Sequence, residues 1–142
     1  HITNKGGNGT VNYKAVTLYE ELSNLDSCSA IFIDVEGYEY NVLLGGEKII
    51  SKFKPFIILE VNSVFLKKRA DITVHILLDT LKNNGYHCYY IRKMQLKKVD
   101  LDNYKDNKNW ICIPEKRIGD KNKLSKAILL NAFNPGISFK IF

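Results

Sequence analysis

Two apolar runs, each closed by an acid, organise the first half of the chain. Ala30-Ile31-Phe32-Ile33 leads into Asp34-Val35, and Phe56-Ile57-Ile58-Leu59 leads into Glu60-Val61-Asn62. Continuous apolar runs of this length predict strands buried on both faces. Gly37 breaks the first pattern, and helical spacing takes over across Tyr38–Phe53. There Val42, Ile49 and Phe53 fall on one face with Leu43 and Ile50 beside them. Lys48, Lys52 and Lys54 suit the negative pole of that helix, and Pro55 stops it. Residues 30–62 therefore read as a β-α-β unit.

The pattern then repeats more weakly. Ile72–Asn84 predicts a helix with Ile72, Ile76, Leu77 and Leu81 inward, ended by Asn84-Gly85. Tyr86–Ile91 is rich in β-formers, a polar stretch runs from Arg92 to Asn109, and Trp110–Pro114 predicts a short last strand. Upstream, residues 1–12 read as loop, Tyr13–Thr17 as a short strand, and Leu18–Leu25 as a helical turn or two. Downstream come a basic linker to about Lys123, a short amphipathic helix around Leu124–Phe133 and a tail broken at Pro135-Gly136. Alternating strands and helices predict right-handed crossovers and an α/β fold with a mostly parallel sheet. The last strand follows its predecessor without a helix between them, so an antiparallel closing strand is expected at the sheet's edge. That arrangement points to the Rossmann-like methyltransferase topology.

Composition changes little in this picture. A chain of 142 residues with 45% hydrophobic and 25% charged residues is long enough for one domain with a real core and far from the disordered regime. No apolar run approaches the roughly 20 residues that span a bilayer, and no signal-peptide pattern is visible. Cys28, Cys88 and Cys112 show no metal spacing, and the last two sit in apolar runs. They read as small buried hydrophobes of a reducing compartment, which makes the cytoplasm the expected location. The net charge of +6 is scattered over Lys67–Arg69, Arg92–Lys98 and Lys116–Lys126, without basic residues interleaved among aromatics. It implies solubility or mild attraction for an anionic ligand, and nucleic acid is not the expected partner.

Candidate chemistry gathers at the carboxyl ends of the two strongest strands, where open α/β sheets bind ligands. Asp34 and Glu60 end consecutive strands, and Glu36 and Gly37 lie just past the first. An acid closing a buried strand needs a partner or a task. Asp34 and Glu36 would serve equally well as caps of the next helix. With Glu60 and Asn62 at the same edge, a site is the favoured reading: carboxylates that accept a hydroxyl proton, bind sugar-like hydroxyls or hold a divalent cation. Glu39, in the first helical turn, suits either the helix dipole or substrate contact. His75 and His87 have no evident partner and read as ordinary core or surface residues.

The stretch Ile33-Asp34-Val35-Glu36-Gly37-Tyr38-Glu39-Tyr40-Asn41-Val42-Leu43-Leu44-Gly45-Gly46, followed by Lys54-Pro55-Phe56-Ile57-Ile58-Leu59-Glu60-Val61-Asn62, resembles the core motif of the FkbM family of methyltransferases. Val16-Thr17-Leu18 and Trp110-Ile111-Cys112-Ile113-Pro114 extend the resemblance to about residues 14–114, although Tyr19 stands where the family commonly has an aspartate. The resemblance implies transfer of a methyl group from S-adenosylmethionine to an oxygen, in this family often on a sugar or another polyhydroxylated small molecule. It implies Asp34 as the base, with Glu36 and Glu60 shaping the acceptor pocket, and Asp34, Glu60 and Asn62 as a set that could hold Mg²⁺. Methyltransferases of this topology hold the cofactor with a glycine-rich loop after the first strand and an acid ending the second. Here Gly6-Gly7-Asn8-Gly9 lacks a preceding apolar strand and reads as linker. The expected organisation is thus the C-terminal half of a methyltransferase domain within a longer polypeptide, with a loop over 1–13, an α/β core over 14–114 and a basic tail over 115–142. Two other functions remain open: a truncated relative acting as a binding module, and an RNA-directed methyltransferase or binder.

Overall fold

In the computed structural model, residues 16–93, 95–102 and 108–133 are described. The glycine-rich segment, Tyr13–Ala15 and the Pro135-Gly136 tail lie outside these residues. Helix α1 (Leu18–Leu22) opens with a capping box: the Thr17 hydroxyl accepts from the Glu20 amide, and the Glu20 carboxylate accepts from the Thr17 amide. Val16 and Thr17 form no strand. Strand β1 (Ala30–Ile33) runs through a loop into α2 (Glu39–Gly45) and α3 (Glu47–Phe53). The single helix expected over Tyr38–Phe53 is thus broken at Gly46, where Leu18 of α1 packs: a Cβ on Gly46 would lie 3.0 Å from Leu18 Cδ1. Close approach of α1 explains the glycine there.

Lys54, in the left-handed region at φ 49°, ends α3 and sends its ammonium to the Asn84 carbonyl at 2.8 Å. Strand β2 (Phe56–Val61) leads into a single turn, α4 (Ser63–Phe65), and a π-helical turn over Leu66–Ala70. Helix α5 (Val74–Asn83) starts at the Thr73 cap and ends at Gly85, whose φ of 78° and amide bond to the Lys82 carbonyl fit the expected glycine stop. Its inward face is Val74, Leu77, Leu78 and Leu81; Ile76, expected inward, is exposed. β3 (Tyr86–Arg92), β4 (Gln95–Lys98) and β5 (Lys108–Pro114) complete the sheet. A 3-10 turn (Glu115–Asp120) then feeds α6 (Lys121–Phe133).

The strand order is β1-β2-β5-β3-β4. β1 and β2 pair in parallel, while β2–β5, β5–β3 and β3–β4 pair antiparallel. The mostly parallel sheet with a reversed strand at its edge is therefore corrected to a mixed α/β sheet. β1, β2 and β3 share one direction, but the reversed β5 inserts between β2 and β3. The edge is held by β4, which arises from the stretch expected to be loop. Burial explains the insertion: Trp110, Cys112 and Ile113 are fully enclosed, as suits a central strand.

Alternation along β2 separates two cores. Ile57, Leu59 and Val61 face a large cluster with Ile33, Leu43, Ile50, Leu77, Leu81 and Trp110, covered by α2, α3 and α5. Phe56 and Ile58 face a smaller one with Tyr89, Leu96, Ile111, Ile113 and Leu124, covered by α6. The second cover does not reach β1, and Phe32 is 68% exposed. Strand β1 is therefore not buried on both faces, as its composition predicted. It also carries no strand on its outer side among the described residues.

Candidate active site

The register Ile33↔Leu59 sets Asp34 level with Glu60 at the carboxyl ends of neighbouring strands. Such strands lie about 4.8 Å apart. By alternation Glu60 shares the face of Phe56 and Ile58, away from the large core. Both acids are exposed, and neither carboxylate has a hydrogen bond or ion pair among the described residues. Two unpartnered carboxylates side by side can accept protons or hydroxyl hydrogen bonds from a ligand.

Glu36 takes a different position. It and Gly37 are successive left-handed residues, with φ of 47° and 101°. The turn directs the Glu36 carboxylate toward the π-helical turn, where its Oε2 lies 3.5 Å from Arg69 Nη2. The Arg69 guanidinium in turn stands 5.0 Å from the Phe65 ring centroid. The three acids expected to form one cluster thus divide into an Asp34/Glu60 pair and an engaged Glu36. Tyr38 stands at the N-cap of α2 without a side-chain cap bond, so neither Asp34 nor Glu36 acts as its cap.

The loop after β2 is also committed to structure. Asn62 Oδ1 accepts the amides of Val64 and Phe65, each at 3.1 Å, and caps α4. That use of the amide oxygen competes with its expected place in a cation site. Among the described residues, no group of three or more His, Cys, Asp or Glu side chains is placed to hold a metal ion. His75 is exposed in the first turn of α5, where it shares a pocket with Ser63, and His87 is half-buried near the start of β3, at the opposite end of the sheet.

One acid was undervalued by its sequence position. Glu39 is 1% exposed, and its Oε1 accepts the Gly37 amide at 2.8 Å. Its Oε2 is buried without a hydrogen-bond partner among the described residues. Position in a first helical turn suggested either a dipole complement or a substrate contact. The available signal was its spacing, two residues after a glycine that must turn left-handed, which lets the carboxylate fold back onto the turn's amide.

Beside this edge, an open cleft of about 470 Å³ runs along the free side of β1, lined by Val16, Leu18, Ile31, Phe32, Val35 and Val42 among others. Its walls are largely apolar, and it opens close to Asp34.

Comparison with known proteins identifies the class. The sequence model described as Methyltransferase FkbM domain matches residues 5–88, more than half of the chain's 142 residues. The chain belongs to the FkbM methyltransferase family. The matched segment starts earlier than the expected residue 14, taking in the glycine-rich stretch, and stops at Cys88, before β5. No curated protein and no solved structure gave a match. No helix among the described residues is long and apolar enough to cross a membrane.

Proposed function

We propose that this chain forms the acceptor side of an S-adenosylmethionine-dependent O-methyltransferase acting on a hydroxyl of a sugar or another small polyhydroxylated molecule. The observation that carries this reading is the unpartnered Asp34/Glu60 pair at adjacent strand ends of a methyltransferase-family domain. Methyl transfer to a hydroxyl needs an aligned acceptor and a base for its proton. Asp34 takes that proton, while Glu60 accepts a hydrogen bond from a neighbouring hydroxyl and holds the acceptor in register. Glu36, tied to Arg69, stands outside this pair and holds the strand-end loop against the turn after β2. S-adenosylmethionine supplies the electrophilic methyl group when bound.

The described residues do not provide the cofactor's own binding loop, since no glycine-rich turn follows a strand among them. The free side of β1, the exposed Phe32 and the apolar cleft support a sheet that continues beyond β1 in the Rossmann-like methyltransferase topology. The strands added there would bring the cofactor beside Asp34. Mg²⁺ has no role in this reading, because Asn62 is occupied as a cap.

Calorimetric titration of the 142-residue chain with S-adenosylmethionine tests the division of labour. The expected result is weak or undetectable binding. Micromolar affinity would overturn it, because these residues would then hold the cofactor unaided.

A further inference from the structure

The loop between β1 and α2 is held by contacts on both of its sides. Gly37 is pressed against the turn after β2: a Cβ there would lie 2.5 Å from the Phe65 carbonyl oxygen and 2.9 Å from Phe65 Cβ. The left-handed pair Glu36–Gly37 is a sparsely populated backbone arrangement that persists only when its surroundings hold it. Two side chains do so from opposite sides. From within, Glu39 Oε1 accepts the Gly37 amide; from outside, Arg69 reaches Glu36 while lying over Phe65. Phe65 and Arg69 belong to the segment after β2, so these contacts join the segments that follow the two acid-bearing strands.

We infer that Glu39 is a positioning residue, which acts through the Gly37 amide to hold Asp34 and Glu36 at fixed places relative to Glu60. This inference rests on the methyltransferase reading for its consequence in catalysis, but not for its geometry. Burying a carboxylate for a single hydrogen bond is costly, and a lost acceptor would leave the Gly37 amide buried and unpaired. The buried Oε2 makes no hydrogen bond among the described residues, so Oε1 alone makes the tie. An amide oxygen at the same place would hold the turn equally well. An aspartate would not, because its shorter arm withdraws the acceptor.

The test compares Glu39→Gln, Glu39→Asp and Glu39→Ala in the full-length protein, by amide hydrogen exchange and by methyl-transfer kinetics. In the alanine and aspartate variants the Gly37 amide should exchange at least tenfold faster, and kcat should fall at least tenfold while KM for S-adenosylmethionine stays within twofold. The glutamine variant should restore both to within threefold of the parent. Aspartate serves where alanine does not fold. Unchanged Gly37 protection in both the alanine and aspartate variants would overturn the inference, as would unchanged kcat in an active enzyme. A parent protein that transfers no methyl group would refute the proposed function, and the exchange result would then decide the positioning role alone.

Discussion

Gly37 and Phe65 are in contact so close that no side chain fits between them, the Phe65 carbonyl oxygen standing 2.5 Å from where a Cβ on Gly37 would be. The φ of 101° at Gly37 adds a backbone penalty for any L-residue. Gly37→Ala should therefore destabilise the fold by at least about 2 kcal/mol, from strain and from displacement of the Phe65 turn together. Urea denaturation of the two proteins measures this. A loss below about 0.5 kcal/mol, the size of an ordinary surface change, would show that the loop yields.

Cys88 and Cys112 stand directly opposite in the β3–β5 ladder, both buried, and burial together with its neighbour Cys88 pushes the Cys112 thiol up. Cys28 is half-buried, and burial raises its thiol as well. Alkylation at about pH 8, near the ordinary thiol range, should modify Cys28 first, with Cys88 and Cys112 protected until the chain is unfolded, as mass spectrometry of the labelled protein will show. Rapid labelling of Cys112 in the folded chain would contradict the central placement of β5.

The same burial fixes the alkaline limit of stability. Cys112 and Tyr86 both have pKa values raised by burial, so the unfolded chain releases these protons before the folded one does. Their contribution is whole below the ordinary thiol range and is lost as pH rises through and beyond it. The midpoint of thermal unfolding should fall steadily above about pH 9, the ordinary thiol range. At the acid end, Lys123 and Arg117 hold the Asp120 carboxyl below its usual range, and Lys67 does the same for Asp71. Those contributions are present at neutral pH and disappear as pH falls through the lowered values. Asp71 is exposed and Asp120 half-buried at the surface, and solvent screens both, so the acid effect should be slight beside the alkaline one.

Phe32 discriminates between the strand its composition suggests and the one the fold contains. Truncation of a buried phenylalanine costs about 3–5 kcal/mol, whereas a surface change costs within about 0.5 kcal/mol. With 68% of its surface exposed, Phe32→Lys in the 142-residue chain should leave stability nearly unchanged, and a charge on a bare apolar edge should reduce self-association. Chemical denaturation and light scattering check the two effects. A large loss of stability would place Phe32 in a core.

These contrasts show which features were legible in the chain. β2 was read correctly because it is central: the apolar residues on both of its faces really are covered. β1 has the same apolar character, but edge position is a property of the sheet, and local sequence carries no mark of it. β4 escaped notice because only Leu96 of Gln95-Leu96-Lys97-Lys98 is buried, the expected pattern for an edge strand facing water. Asp34 and Glu60 were assigned to one edge because each closes an apolar strand, and the register Ile33↔Leu59 sets them level. Glu36 was assigned to the same pocket, but its left-handed turn and Arg69, distant in sequence, carry it to the loop after β2. The role of Glu39 depends on burial, which its polar character concealed.

Methyl transfer by Asp34→Asn is the decisive measurement, made with methyl-labelled S-adenosylmethionine and a panel of sugars on the full-length protein. The parent should label at least one hydroxyl acceptor, and the variant should lose at least about 100-fold in kcat, the lower range for removing a general base. Its KM for S-adenosylmethionine and its unfolding midpoint should stay close to the parent's. Unchanged turnover in Asp34→Asn would contradict the assignment of this strand end as the catalytic edge.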